Sequence, residues 1–533
     1  RRRVRLSWPS LLVSVFLLAG IAFFAMLGRG ATLPGWATDR IEAELSRSLG
    51  EGAVQVSDAR IEIDRRGVAD IVLDGLILRD ASGASLGQIN RIAARVRPVA
   101  MIRGAGAPTE LEISGAQITV RRGADGSFQL SMGGPSSAEV SDIGTVLELV
   151  ETVFSADPLS GLTEIGARDL TITLEDARSG RVWQATNGSL TLLNSDRQLD
   201  IDVFSEVFNG TEDLASVQLS FAVAKGSGEV QLAALLQDAA ARDIALQSPA
   251  LSYLGVLDAP VSGAIRGVYR RGEGLDGLAA TLEIGAGNLA PAGNVRPVPF
   301  NQGRVYLEYD PATSRIDFAE YFVESNSLRL SGSGHAFLGD FRGAWPTTLT
   351  TQLIFGRIEG APAGVFEGPV AFDRGVADVR LTFDPFSLEI GQAALIDGDS
   401  RVVAEGSVAV RPGGWQTRID VRADRLEAGR VLSLWPLAAV PNTRRWLSQN
   451  LLAGQLTDVA GAFRFHPGEV PQIGVTFEFD AAKVRFLPHF PPITEGRGHA
   501  ALDGTSYSMT LTEGSVTPQS GGPVRFDGST IRI

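Results

Sequence analysis

From Val54 onward, apolar residues fall on alternate positions in one short run after another. Val217, Leu219, Phe221 and Val223 make one run; Val305, Leu307 and Tyr309 stand against Tyr306 and Glu308; Val379, Leu381 and Phe383 stand against Arg380, Thr382 and Asp384. A period of two puts every second side chain on one side of an extended strand, so each run carries one apolar and one polar face. Gly, Asp and Ser lie between the runs, in stretches such as YRRGEG, FLGDFRG and IDGDSR, where the chain turns. With 61 Gly and 26 Pro but 44% apolar residues, the sequence is heavily punctuated without the composition of disorder, and many short strands reconcile the two. The expected class is mainly β.

Three segments repeat loosely: IVLDGLILRDASG (71–83), LEISGAQITVRRGADG (111–126) and IGARDLTITLEDARSG (165–180). Each joins an apolar strand through Gly or polar residues to a second strand and ends in a charged turn. No strict period survives, so the repetition is architectural, a meander of hairpins added one after another. Two segments change period. Pro34 to Gly50 places Trp36, Ile41, Leu45 and Leu49 near helical spacing, and predicts a helix packed on the end of the first sheet or lying on a membrane surface. Glu139 to Phe154 carries Val140, Ile143, Val146, Leu147, Val150 and Phe154 as a helical stripe that Asp157-Pro158 stops.

Leu11 to Gly28 reads LLVSVFLLAGIAFFAMLG without a charge. As a helix it spans roughly 27 Å, near the ~30 Å of a bilayer core. Arg1, Arg2, Arg3 and Arg5 precede it and Arg29 alone follows it closely, which keeps a short N-terminus in the cytoplasm and sends the rest across. A cleaved signal peptide has the same general pattern, but this apolar run is longer than a usual h-region and ends in FFAMLG without a small-x-small site. The retained anchor is the expectation.

The absence of Cys excludes disulfides, thiolate zinc sites and cysteine catalysis, and a formal net charge of −13 gives no basic footprint for nucleic acid. His335, His466, His489 and His499 form no HExxH pattern, and the Gly-rich GSGHAFLG matches no phosphate-binding loop. Glu478 and Asp480 imitate a catalytic pair, yet they alternate with Phe477 and Phe479 and read as an exterior polar face. We expect no catalytic residues, metal or cofactor.

Trp415 to Gly461 is the most distinctive segment. Trp415, Thr417, Ile419 and Val421 alternate with Gln416, Arg418, Asp420 and Arg422 as a strand, and two helical candidates separated by Pro436 and Pro441 follow. Trp446 and Asn450 are one helical turn apart and either anchor the helices to the sheet rim or meet a partner. Gly454 is placed to end the second helix, and Arg444 and Arg445 read as a solvated face or as contacts to an anionic headgroup or protein. Beyond them Phe463, Phe465, Val475, Phe477 and Phe479 resume the alternation, interrupted by the Pro-rich LPHFPPITEGRG.

The Arg-flanked apolar start, VSDARIEIDRRGVADIVLDGLILRD, and LSLWPLAAVPNTRRWLSQNLLAGQLTD followed by AKVRFLPHFPPITEGRG together resemble the AsmA-like superfamily of bacterial envelope proteins, in its YhdP-like branch. The resemblance centres on Trp435, Pro436, Arg445, Trp446, Asn450 and Gly454. It implies an elongated, strongly curved antiparallel sheet with an apolar groove, similar to chorein-type bridge proteins. It also implies passage of glycerophospholipids between inner and outer membrane, support of outer-membrane integrity, and contact with the outer membrane or an envelope protein. Such proteins are commonly much longer, so the chain is expected to be the N-terminal part of one. The expected organisation is a cytoplasmic stub and anchor (1–30), a first helix with hairpins (31–135), an inserted helix (136–160), a repeated groove sheet (161–414) and the YhdP-like segment (415–533).

Ile172, Leu174, Leu307, Tyr309, Leu381, Phe383, Phe463, Phe465, Phe477 and Phe479 are the candidates for the groove lining. The alternation alone fits the core of an ordinary sandwich or barrel equally well; the resemblance favours the groove. The competing function is that of a structural or assembly factor, a rigid arm presenting helices and loops to envelope proteins.

Overall fold

The computed structural model describes residues 30–48, 53–63, 68–79, 85–96, 108–123, 128–130, 161–177, 181–208, 214–271, 273–291, 295–343, 345–437, 441–504 and 506–532. The expected anchor at Leu11–Gly28 and the expected helix at Glu139–Phe154 lie outside these. Among the described residues, no helix is long and apolar enough to cross a membrane. The protein is mainly β and almost entirely antiparallel, in two units: residues 1–238 with 265–276, and residues 239–264 with 277–533.

In the first unit a helix, α1 (Gly35–Ser48), follows the two-residue strand Ala31–Thr32 and stands at the place its periodicity predicts. Leu33, Ile41 and Leu45 pack on Val54, Val56, Leu73 and Leu76 of the first two long strands, Ala53–Ile63 and Ala69–Arg79. Glu42 and Ser46 of α1 accept hydrogen bonds from the Val56 and Val54 backbone N–H groups, at 2.7 and 2.9 Å. The helix thereby satisfies donors that an uncovered strand would present to other chains. Trp36 is not part of the packed stripe and is 71% exposed. Five residues separate it from Ile41, which turns it about 140° around the helix.

The strands then follow as a meander with one departure. Glu110–Arg122 pairs with Glu164–Asp176 in parallel, Glu110 facing Glu164 and Arg122 facing Asp176. The second and third copies of the loose repeat are thus side by side and run the same way. Alternation specifies which face a residue takes but is blind to strand direction. Ile172 and Leu174 lie on this parallel strand, half-buried, opposite Ile118 and Val120 on one side and Ala185 and Trp183 on the other. On the polar face, Arg60 pairs with Asp74 and Glu62, Arg95 with Asp70 and Glu110, and Arg168 with Glu112.

The second unit contains two short helices. These are α2 (Ala241–Ala245) and the 3-10 helix Pro249–Val256, with Pro249 in its first turn. Leu251 and Leu254 of the 3-10 helix are fully buried, and the Tyr253 ring meets Phe318 edge-on at 6.4 Å between centroids. Phe318 is the register partner of Leu307, which is itself 2% exposed. The apolar face around Leu307 is therefore filled by the chain itself. Tyr309, two residues on, is half-buried and opposes Leu278 and Ile316.

From Gln302 to Arg532 each long strand pairs antiparallel with the next, in the expected meander, and no pairing among the described residues closes it. Leu381 faces Leu349 and Leu388 across neighbouring strands, while Phe383 follows its strand and donates its backbone N–H to Thr347 at 3.1 Å. Two helices, α3 (Ala428–Leu434) and α4 (Pro441–Asn450), interrupt the meander between Gly414–Glu427 and Leu451–Phe465. Those two strands nevertheless pair directly, Thr417 with Phe465 through to Glu427 with Gln455. The insert interrupts the sheet without ending it, as its sequence predicts.

Candidate functional site: an apolar cleft under two helices

The cleft is built on four strands, Leu451–Phe465, Gln472–Val484, Ile493–Asp503 and Ser506–Val516. Alternation points Phe477 and Phe479 to the same side, with Leu456, Met509 and Leu511 from neighbouring strands beside them. Glu478 and Asp480 point away and are exposed, as expected of an exterior face. The Asp480 carboxyl is held below its ordinary range, first by the Ala481 backbone N–H and then by the Arg497 guanidinium at 3.2 Å.

The strands are not regular here. Register shifts fall at Ala453/Gln455, Phe479/Ala482 and Arg497/Gly498, and such bulges bend and twist a strand. The shifts bring Gly454, Ala482 and Gly496 together on adjacent strands: a Cβ on Gly454 would stand 3.2 Å from the Ala482 Cα, and one on Gly496 3.1 Å from the Ala482 carbonyl oxygen. Small residues at this level give the cleft depth. Gly454 therefore does not end the second helix. That helix stops at Asn450, and Gly454 sits inside the next strand at φ +151°, which favours a residue without Cβ.

The helices form the opposite wall through Val431, Trp435 and Leu447, and are tethered from outside by arginines. Arg430 pairs with Asp397 at 2.8 Å and stacks over the Phe372 ring at 5.1 Å. Arg444 pairs with Glu367 while its own side chain is 11% exposed. A solvated face thus describes Arg445 but not Arg444, because the turn of α4 directs Arg444 onto a neighbouring loop. Asn450 donates to the Trp446 carbonyl at 2.8 Å, a local bond within α4, and its own carbonyl accepts from the Arg485 N–H at 2.8 Å.

The resulting cavity measures about 490 Å³, and only Gln455, Ser529, Thr530 and the Tyr507 hydroxyl interrupt its apolar lining. A second space of about 150 Å³, lined by Phe463, Pro436 and Val459 among others, adjoins it, with Val431, Trp435, Leu456 and Phe477 common to both. Burial pushes the Tyr507 hydroxyl of the larger cavity up to about 12, so it stays protonated at neutral pH. Trp446, Phe486, Leu487, Phe490 and Phe526 line the mouth and are exposed to solvent.

Of the residues singled out from sequence, Phe477, Phe479, Trp435, Trp446 and Gly454 meet at the larger cavity, and Phe463 and Pro436 at the smaller. Phe465 is exposed at its strand end, and Arg445 is exposed with its guanidinium 3.4 Å from the Asn442 side chain. Ile172, Leu174, Leu307, Tyr309, Leu381 and Phe383 line neither cavity. Sequence reasoning missed Leu447, Met509 and Phe490. The signal for Phe490 was present, since an aromatic residue within the Pro-rich LPHFPP turn has no strand face to fill. Among the described residues no three His, Asp or Glu side chains gather as a metal site. No family model, curated protein or solved structure matches the chain.

Proposed function

We propose that the cleft under α3 and α4 holds the acyl chain of a glycerophospholipid, and that the protein is an inner-membrane-anchored periplasmic conduit, or part of one, moving phospholipid between inner and outer membrane. The observation that carries this reading is the cleft itself: about 490 Å³ of almost wholly apolar space, open at a mouth of exposed aromatic side chains. Its size falls in the ~300–1,000 Å³ typical of small-molecule sites. Each methylene transferred into it from water gains roughly 0.8 kcal/mol, and an open mouth leaves the headgroup solvated. No bond is made or broken, so the site has no need of a nucleophile or metal. The charge-free Leu11–Gly28 stretch and the resemblance to AsmA-like proteins support the membrane-to-membrane setting. A long, curved, apolar-lined sheet, of which this cleft is one stretch, belongs to the same proposal.

A second reading, a rigid envelope arm without lipid, draws support from the filled face around Leu307 and Tyr253. Photocrosslinking in membranes of cells making the full chain separates the two. A benzophenone amino acid replacing Phe477 should capture phospholipid, and one replacing the adjacent, outward-facing Glu478 should not. Equal labelling at the two positions, or none at either, would reject the acyl site and leave the arm.

A further inference from the structure

Three separate segments each place an aromatic residue at the mouth of the cleft immediately after an arginine in sequence: Arg445-Trp446 on α4, Arg485-Phe486 at the start of the Pro-rich loop, and Arg525-Phe526 near the last strand. The aromatic member of each pair is exposed, as is Phe490 at 61%. Arg445, Arg485 and Arg525 make no ion pair among the described residues. Three arginines without an ion pair thus stand next in sequence to exposed aromatic side chains of the mouth. Exposed aromatics, three of them directly preceded by an arginine without an ion pair, have the composition of a membrane-interface anchor, with rings at headgroup depth and guanidinium groups against phosphate.

We propose that the mouth of the cleft docks on a bilayer surface carrying anionic lipid, with Trp446, Phe486, Phe490 and Phe526 at the interface and Arg445, Arg485 and Arg525 against headgroup phosphates. The inference rests on the rim and not on what fills the cleft. Docking there opens the cavity directly toward the acyl layer. Attraction between cations and an anionic surface weakens with ionic strength, so docking is salt-sensitive.

The chain has no cysteine, so His489→Cys provides a single attachment point for an environment-sensitive fluorophore in the loop. The full chain is reconstituted in vesicles of phosphatidylcholine with 0, 20 or 40% phosphatidylglycerol, part of the lipid brominated on its acyl chains to quench a buried probe. Quenching at residue 489 is expected to rise with the anionic fraction, to fall several-fold in 1 M salt, and to fall likewise in Arg485→Glu/Arg525→Glu. It should persist in Met509→Trp, which fills the cleft. A probe at 489 no more quenched than one at the exposed Glu469→Cys would overturn the proposal. Quenching that vanishes in Met509→Trp would also overturn it, since it would then report lipid inside the cleft. Binding of an acidic protein to the same arginines, without bilayer quenching, would reassign the surface to that protein.

Discussion

Two apolar faces in the second unit were indistinguishable by alternation, yet one is sealed and the other open. Around Leu307 the cover comes from the largely apolar 3-10 helix PALSYLGV, whose Tyr253 ring meets Phe318 and whose Leu251 and Leu254 are fully buried. Around Phe477 the cover is α3, which brings Val431 and Leu432 to the cleft, and α4, which reads PNTRRWLSQN with Trp446 and Leu447 as its large apolar side chains. A segment hydrophobic all round is driven into a core; one that is polar on most of its surface spans a gap along a single stripe. The composition of the covering segment, not the strand pattern, decides whether such a face becomes core or cleft.

The sharpest way to break this comparison is to truncate one side chain from each cover. Leu254, 0% exposed, should cost roughly 2–5 kcal/mol as Leu254→Ala, because a cavity is left in a sealed core. Phe490→Ser, at the mouth of the cleft, should change stability by only ~0.5 kcal/mol while weakening lipid capture. Denaturant unfolding reads the first effect and photocrosslinking the second. Similar stability losses in the two variants would mean that the mouth is packed after all.

Filling the cleft is the converse. Met509→Trp adds bulk on the side of a cavity of about 490 Å³, so it should avoid much of the 1–3 kcal/mol typical of overpacking, yet abolish labelling from position 477. A destabilisation within or above that range would show that the walls cannot accept the ring. A smaller effect concerns how α4 is held off the sheet. Arg444→Ala should cost about 1–2 kcal/mol through the lost pair and packing. Glu367→Ala should add little in the double variant, since both substitutions remove one contact.

Sequence reading was strongest for what has a period. The meander, the position of α1, the helical insert that leaves its sheet intact, and the outward face of Glu478 and Asp480 all follow from apolar spacing. It failed where the deciding term is long-range. The parallel pairing of Glu110–Arg122 with Glu164–Asp176 leaves no mark on either strand's pattern. Gly454 follows a helix and reads as its cap, but the bulge that requires it arises from pairing with the next strand. Phe477 and Phe479 were legible as inward-facing; that Met509 and Leu447 complete their cleft depends on how two helices return to the sheet.

The smallest predicted effect tests whether the two regions differ only on their apolar faces. On the polar side both carry a depressed carboxyl: Asp480 beneath the Ala481 N–H and Arg497, and Glu324 beneath Arg329 and then Gln302. A folded-state value below the unfolded one stabilises the protein above the unfolded pKa, near 4 for a carboxyl, and that contribution is lost as pH falls through the folded value. Asp480→Asn and Glu324→Gln should therefore each lower the unfolding midpoint slightly at pH 7, and each curve should approach that of the parent as the medium is acidified below pH ~4. Asp480 is solvent-exposed and Glu324 is half-buried beside the exposed Arg329, so both shifts should shrink in high salt, that of Asp480 the more. If Asp480→Asn alone kept its effect at low pH, its carboxylate would be supporting the bulge at Ala481 through geometry rather than charge, and the polar face over the cleft would differ in kind from the one over the sealed core.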